Sequence, residues 1–233
     1  AASFNSMLAA LSASRRQQHR LVMDASHELR TPLASMQTNI DVLRSRPNLE
    51  PEMHAAVVDD LHAEIGELSA LVAELVDLAT DVGEEEPVAA VELSAIVEPI
   101  VQRASRRGTH DVVLDLRAQA VVEGRPVALA RAVRNLVENA MKFAPEGTCV
   151  RVEVDGGQVI VHDQGPGIPQ ADREVVFERF HRVEATRTFP GSGLGLAIVR
   201  QVAEAHDGSV VASASPDGGA AVGFSVPTSA DRV

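Results

Sequence analysis

Up to residue 82 the apolar residues of this chain recur at steps of three and four, and beyond residue 83 they do not. Val22, Ala25, Leu29, Leu33, Met36, Ile40 and Leu43 form one series. Met53, Val57, Leu61, Ile65, Leu68, Val72, Leu75 and Leu78 form a second. That period puts the apolar side chains on one stripe of an α-helix. The spacing predicts two long helices, over 15–46 and 51–82. Arg46-Pro47-Asn48-Leu49-Glu50-Pro51 lies between them, a short proline-bounded turn that suits antiparallel neighbours. Two such helices bury little on each other alone. Pairing with a second copy in a four-helix bundle hides both stripes, so a homodimer is expected.

Gly83-Glu84-Glu85-Glu86-Pro87 ends the helical rhythm and opens an acidic linker over 83–91. Past it the pattern predicts a helix over 92–107, strands over 110–117 and 120–123, and a helix over 126–143 with Pro126 at its first turn. Strands over 150–155 and 158–163 flank Gly156-Gly157, a hairpin signal. A helix over 193–206 and a closing hairpin of 209–215 with 220–226 complete the chain. The expected architecture is multidomain: an all-α helical hairpin, then a layered α/β sandwich.

Composition narrows the function classes. Trp and Tyr are absent and Phe occurs only six times, so the core must be built from Ala, Val, Leu and Ile. A formal net charge of −12 makes free binding to nucleic acid or an anionic membrane surface unfavourable. Cys149 is the single cysteine, which excludes an internal disulfide and fits a reducing compartment. No apolar run approaches the ~20 residues of a membrane-spanning helix, so the stretch is expected to be soluble.

His27 stands apart from the apolar stripe. With Ala25 and Leu29 as neighbouring stripe positions and ~100° per residue, its side chain points about 180° away, into solvent. Thr31, four residues on, shares that face. Pro32 cannot donate to the carbonyl of Glu28, and its ring crowds that carbonyl, so the helix is expected to kink beside His27. A lone exposed histidine is ordinary surface, and no spacing among the eight histidines makes a metal site. The surrounding string, Ser26-His27-Glu28-Leu29-Arg30-Thr31-Pro32-Leu33, resembles the phosphoacceptor box of sensor histidine kinases. The resemblance implies that His27 is phosphorylated on an imidazole nitrogen, a competent nucleophile near neutral pH. It further implies that Glu28 holds the other ring proton and that Thr31 positions water for dephosphorylating a partner.

Four further segments follow in order. Asn135, Asn139 and Lys142 fall at spacings of four and three, on one helix face, beside Phe143. Two amides and a cation suit Mg²⁺ and phosphate oxygens; a polar solvent face fits them too. Lys142 is the only lysine of the chain. Asp163-Gln164-Gly165-Pro166-Gly167-Ile168-Pro169 follows a predicted strand, where Gly165 and Gly167 let backbone approach a ligand. Phe177-Glu178-Arg179-Phe180-His181-Arg182 carries two phenylalanines that core packing alone would explain. Gly191-Ser192-Gly193-Leu194-Gly195-Leu196 opens a helix, the place where backbone N–H groups and the helix dipole hold phosphate.

Taken in this order, the four segments resemble the N box, first Gly-rich box, Phe box and second Gly-rich box of the histidine kinase catalytic domain, of the Bergerat ATP-binding fold. The resemblance spans residues 15–226. It implies ATP and Mg²⁺ as cofactors, with Asn139 as the Mg²⁺ ligand. Asn135 and Lys142 would hold the triphosphate, and Asp163 the adenine. Residues 181–192, with Arg187 and Gly191, would form a lid. Bergerat ATPases place a glutamate where Asn135 stands. An amide cannot take a proton from water, so phosphoryl transfer is favoured over hydrolysis.

Ala2-Ser3-Phe4-Asn5-Ser6-Met7 resembles the end of a HAMP signalling helix. The expected organisation is then a HAMP-like segment over 1–14, a dimerisation and phosphoacceptor domain over 15–82, a linker over 83–91 and an ATP-binding domain over 92–228. The expected function is autophosphorylation of His27 and transfer to an Asp of a response regulator receiver domain, with phosphatase activity as a companion. The chain would be the cytoplasmic part of a bacterial inner-membrane receptor. A Bergerat-fold ATPase and a non-catalytic dimeric scaffold are the alternatives.

Overall fold

A computed structural model describes residues 2–46, 49–79, 86–184, 189 and 191–229, with the side chains of the first helix described from Val22. The chain divides into two compact units, Ala1–Ala79 and Thr80–Val233.

The first unit is a pair of long helices in mutual contact, α1 (Ala2–Ser45) and α2 (Pro51–Ala79). α1 is continuous from Ala2, so residues 2–14 and the His27 segment share one helix, with Pro32 inside it. Two stripe residues are buried, Ala25 on α1 and Leu78 on α2, and Leu71, outside the stripe, is buried as well. Val22, Leu33, Ile40, Met53, Ile65 and Val72 belong to the same stripes and remain exposed in the single chain. α2 is described to Ala79, and its expected end at residue 82 falls within 80–85, outside the described residues.

Among its described residues the second unit has one five-stranded sheet, one two-stranded sheet and three α-helices. Its elements are β1 (Ala89–Glu92), α3 (Leu93–Ser105), β2 (Asp111–Ala118), β3 (Val121–Gly124) and α4 (Pro126–Phe143). β4 (Cys149–Asp155), β5 (Gln158–His162), α5 (Gly195–Ala205), β6 (Ser209–Ala214) and β7 (Ala220–Ser225) follow. β1 starts inside the stretch read as linker, because Ala89–Glu92 pair antiparallel with Val121–Gly124. The large sheet runs β2-β4-β5-β7-β6, with β2 parallel to β4 and every other pair antiparallel.

Alternation builds the core. Val150, Val152, Val154, Val159 and Val161 are buried on the face of the sheet that α3, α4 and α5 cover. α4 adds Ala128, Leu129, Ala132, Val133, Leu136, Val137 and Ala140 at helical steps. Each fully buried Leu or Val contributes roughly 1.5–3 kcal/mol. The aliphatic core expected from the missing Trp and Tyr is completed by Phe224, which is fully buried. On the opposite face, Arg151 ties the strands together, bonding Asp217 at 2.7 Å and Glu153 at 3.0 Å.

Candidate functional site in the sandwich and on the first helix

Apolar burial orients α4, and that orientation sets out its polar face. With Leu136, Val137 and Ala140 inside, Asn135, Asn139 and Lys142 line up on the other side. All three are half-buried, as is Phe143, so this is not the solvated stripe the bland reading allowed. Asn135 Nδ2 donates to the Arg131 carbonyl at 3.1 Å, which leaves the side-chain oxygen facing away from its own helix.

The glycine segment before α5 meets that face. A Cβ on Gly195 would lie 3.3 Å from Asn135 Oδ1, and one on Gly191 would collide with Lys142 Nζ. The positive charge of Lys142 therefore sits directly on the Gly191 backbone, 4.7 Å from the centre of the Phe143 ring. Gly193 is left-handed, at φ +76°, and a side chain there would strike the His181 carbonyl at 2.8 Å. Left-handed Gly193 is why α5 begins at Gly195 and not at residue 193 as expected. The Ser192 hydroxyl accepts from Leu194 N–H at 3.1 Å, and the fully buried Leu194 pins the turn. Phe180 N–H donates to the Gly193 carbonyl at 3.1 Å, so the phenylalanine segment docks on the glycine segment through backbone. Phe177 is core, as packing alone suggested, whereas Phe180 is half-buried and holds φ 58°, a costly conformation for a bulky residue.

Asp163 forms the floor, at the end of β5. It is almost wholly buried and accepts from Gly165 N–H at 2.8 Å and Ala220 N–H at 3.1 Å, both on Oδ1. Burial pushes its carboxyl above the usual range, and the two backbone donors oppose that shift. Backbone crowds around it. A Cβ on Gly165 would lie 2.7 Å from the Phe143 carbonyl, and one on Gly219 would lie 2.5 Å from Asp163 Oδ1. Gly167, at φ +75°, packs on Gly219. Asp163, Gly165, Gly167 and Phe143 thus converge, joined by Gly219 and Ala220, which sequence reasoning missed. The only signal near them is the Gly218-Gly219 pair, which lies between the two strands of the expected closing hairpin.

In the first unit His27 is exposed, as the helical geometry required, and Glu28 and Thr31 are exposed with it. Ser26 turns its hydroxyl back to the Val22 carbonyl at 2.7 Å. Arg187 lies outside the described residues, as do 185–188 and 190 of the expected lid. Phe189 packs edge-on to Phe143 at 5.3 Å between ring centres, and its carbonyl accepts from Arg182.

The donor set fits a magnesium nucleotide. Gly191 and Gly195 present bare backbone beside a cation and an amide, a cradle that any side chain would fill. Among the described residues no cluster of three or more His, Cys, Asp or Glu could hold a metal by itself. A single amide ligand suits Mg²⁺, which keeps several waters and takes the remaining oxygens from phosphate.

Comparison with known proteins bears on both units. Residues 17–81 match the family described as His Kinase A (phospho-acceptor) domain. Residues 124–230 match Histidine kinase-, DNA gyrase B-, and HSP90-like ATPase. The signal transduction histidine-protein kinase/phosphatase MprB of Mycobacterium sp. (strain KMS) is 43% identical over 227 residues, covering 93% of this chain and 44% of that protein. The protein of the same name from Mycobacterium tuberculosis (strain H37Rv) is 41% identical over 237 residues, covering 96% and 46%. The chain thus spans less than half the length of these curated relatives. Among solved structures, the mycobacterial sensor histidine kinase MprB matches with a TM-score of 0.53 and 34% identity, over 61% of this chain and 98% of that one.

Proposed function

The chain belongs to the sensor histidine kinases, and from that premise we propose that it phosphorylates its own His27 with ATP and passes the phosphoryl group to an Asp of a response regulator. The observation that carries the proposal is the close approach of the glycine segment, Gly191–Gly195, to the Asn135–Lys142 face of α4. In this reading Asp163 receives the adenine amine, and Lys142, Asn135 and the backbone N–H groups before α5 hold the triphosphate. Asn139 ligates Mg²⁺, which neutralises phosphate charge when bound. Catalysis is mainly positioning and charge neutralisation.

An imidazole nitrogen of His27 forms the new P–N bond while the bond from the γ-phosphorus to its bridging oxygen breaks, and ADP leaves. The proton on the other ring nitrogen is held by Glu28. The exposure of His27 supports this, because the same histidine must meet both the nucleotide-bearing unit and a regulator's receiver domain. Thr31, exposed four residues on, would position water for the reverse-sense task, hydrolysis of the regulator's acyl phosphate.

Pairing into a dimer follows from the stripe residues left exposed on α1 and α2. The likeness of Phe4-Asn5-Ser6-Met7 to a HAMP helix supports reading the chain as the cytoplasmic part of a membrane-anchored receptor. No described helix is itself long and apolar enough to cross a membrane. Steady ATP hydrolysis without self-labelling is the competing activity, and Asn135 opposes it: its amide donates to the Arg131 carbonyl and has no basic site for a water proton.

The test uses ATP labelled at the γ-phosphate. Acid-labile label is expected on the wild type and absent from His27→Gln. Label retained by His27→Gln would place the acceptor elsewhere.

A further inference from the structure

Asp163 extends β5 by one residue, and its N–H still donates to the Ala220 carbonyl at 2.9 Å. Alternation along the strand sends His162 to the open face of the sheet and Asp163 to the face that the helices cover. The turn that joins β6 to β7, residues 215–219, is gripped on both faces. On the nucleotide side the Ala220 N–H donates to Asp163 Oδ1 at 3.1 Å. That N–H belongs to the Gly219–Ala220 peptide, whose carbonyl accepts from Ser215 N–H at 3.0 Å. On the open face Asp217 Oδ2 accepts from Arg151 Nε at 3.0 Å and from Nη2 at 2.7 Å.

Arg151 stands on β4, and Arg151, His162 and Ala221 pair in one row across β4, β5 and β7. The guanidinium therefore spans the strand that ends in Asp163 to reach the turn. Its Nη1 bonds Glu153 at 3.0 Å, which fixes the other end. Arg151 keeps 20% of its side-chain surface exposed and Asp217 39%, so the pair is better shielded than an ordinary surface pair. Beyond Asp217 the turn has little stiffness of its own, since Gly218 and Gly219 carry it at φ +94° and +96°. It is nevertheless closely packed: a Cβ on Gly219 would lie 2.5 Å from Asp163 Oδ1 and 2.6 Å from Gly165 N. Both backbone bonds to Asp163, from Ala220 and from Gly165, fall on Oδ1. They set the rotation of the carboxylate and with it the direction of Oδ2.

We propose that Asp217, through its ion pair with Arg151, is a positioning residue for nucleobase recognition: it steadies the Gly219–Ala220 peptide, which aims the Asp163 carboxylate at the exocyclic amine of the base. The proposal rests on the reading of Asp163 as the adenine contact. Asp217 bonds Arg151 and Ser215, and neither belongs to the candidate nucleotide set. Its effect on the nucleotide therefore passes through Asp163. The pairing of β5 with β7 does not depend on the ion pair, so losing it leaves the sheet in place and frees the two glycines beyond Asp217. A hydrogen bond is directional, so a carboxylate held less firmly bonds the amine less well, while the grip on the phosphates is unaltered.

The experiment uses the whole chain with Mg²⁺ and compares two nucleotides by isothermal titration calorimetry. One is ADP, which has no γ-phosphoryl group to transfer. The other is purine riboside diphosphate, the same molecule without the exocyclic amine. The wild type is expected to favour ADP by about ten-fold or more, the contribution of a hydrogen bond to a charged acceptor. Asp217→Ala is expected to bind ADP about five-fold more weakly and purine riboside diphosphate as before, so the preference shrinks about five-fold. Asp217→Glu, which keeps the carboxylate, is expected to hold the preference within about two-fold of the wild type. Arg151→Met should shrink the preference as Asp217→Ala does, and the double variant no further than either alone. An ion pair that merely stabilises the fold predicts equal fractional losses for the two nucleotides, or none. Either result, or additive losses in the double variant, overturns the proposal. Equal binding of both nucleotides by the wild type would instead remove the reading of Asp163 as the adenine contact.

Discussion

The two units solve the burial problem in opposite ways. The α/β unit closes its core on itself: Leu129, Leu136, Val150 and Val152 are fully or almost fully removed from solvent within one chain. The helical unit does not, for Ile65 keeps 52% of its surface exposed and Val22 58%, on the stripes that ought to be inside. Histidine is used oppositely as well. His27 stands in solvent on a helix, while His162 and His206 are buried in the sandwich. A unit that completes its core alone can hold a small molecule in a fixed cradle. A unit that needs a partner is suited to presenting a reactive ring and to changing with its partner's geometry.

The widest separation between the units is expected from Asn139→Ala. Labelling of His27 should fall to below about one hundredth, since a metal-positioning contact in phosphoryl transfer is worth orders of magnitude. Self-association, read by analytical ultracentrifugation, should be unchanged. A variant that lost both would break the division of labour. Stability sharpens the contrast next. Leu129→Ala should cost about 3 kcal/mol in urea unfolding, independent of protein concentration. Ile65→Asp should leave the α/β unit's transition in place and weaken self-association at least ten-fold, on the order of the cost of placing an unpaired charge in an apolar seam.

What could be read beforehand follows the same division. Helical stripes are local, so the joint between α1 and α2 was legible to within a residue, although α1 begins at Ala2 and not at the expected residue 15, and the exposed side of His27 followed from Ala25 and Leu29 alone. The face shared by Asn135, Asn139 and Lys142 was legible for the same reason. Asp163 was found through its glycine-rich turn, yet Ala220, which donates to its carboxylate, and Gly219, which packs on it, come from a hairpin more than fifty residues on, and no local period points there. The capping role of Glu86 at the start of α4 was invisible for a related reason. Glu86 lies in an acidic, proline-ended run that has every mark of a linker, and only the fold brings it to Val127 and Ala128. The parallel pairing of β2 with β4 was likewise invisible, since strand patterns carry no direction.

A smaller effect is expected from Thr31→Ala, which tests whether the exposed face of α1 serves two chemistries. Dephosphorylation of a phosphorylated receiver domain should slow about ten-fold, as befits loss of a water-positioning group. Initial rates of His27 labelling should stay within two-fold. Equal loss of both would mean that Thr31 supports the helix and not the water.

The smallest effect concerns the buried histidine. Burial, helped by the nearby Arg151 guanidinium, lowers the His162 pKa from its ordinary value, against the opposing pull of Glu153 and Asp217. Its Nε2 lies 3.4 Å from Glu153 Oε2 and its Nδ1 3.5 Å from the Ser215 hydroxyl, both long for strong bonds to a charged ring. The folded protein therefore holds His162 neutral more firmly than the unfolded chain, whose value is about 6.5. Above that pH neither state is protonated and the full stability is present. As pH falls through about 6.5 the unfolded chain takes the proton first, and stability drops until the lower folded value is passed. Urea midpoints at pH 7.5 and 5.5 should thus differ more for the wild type than for His162→Gln. Both proteins share their other titrating groups, Asp163 included, so the difference between the two slopes belongs to His162. An identical slope in the variant would mean that this ring titrates alike in both states, and that its enclosure in the sandwich has no energetic consequence.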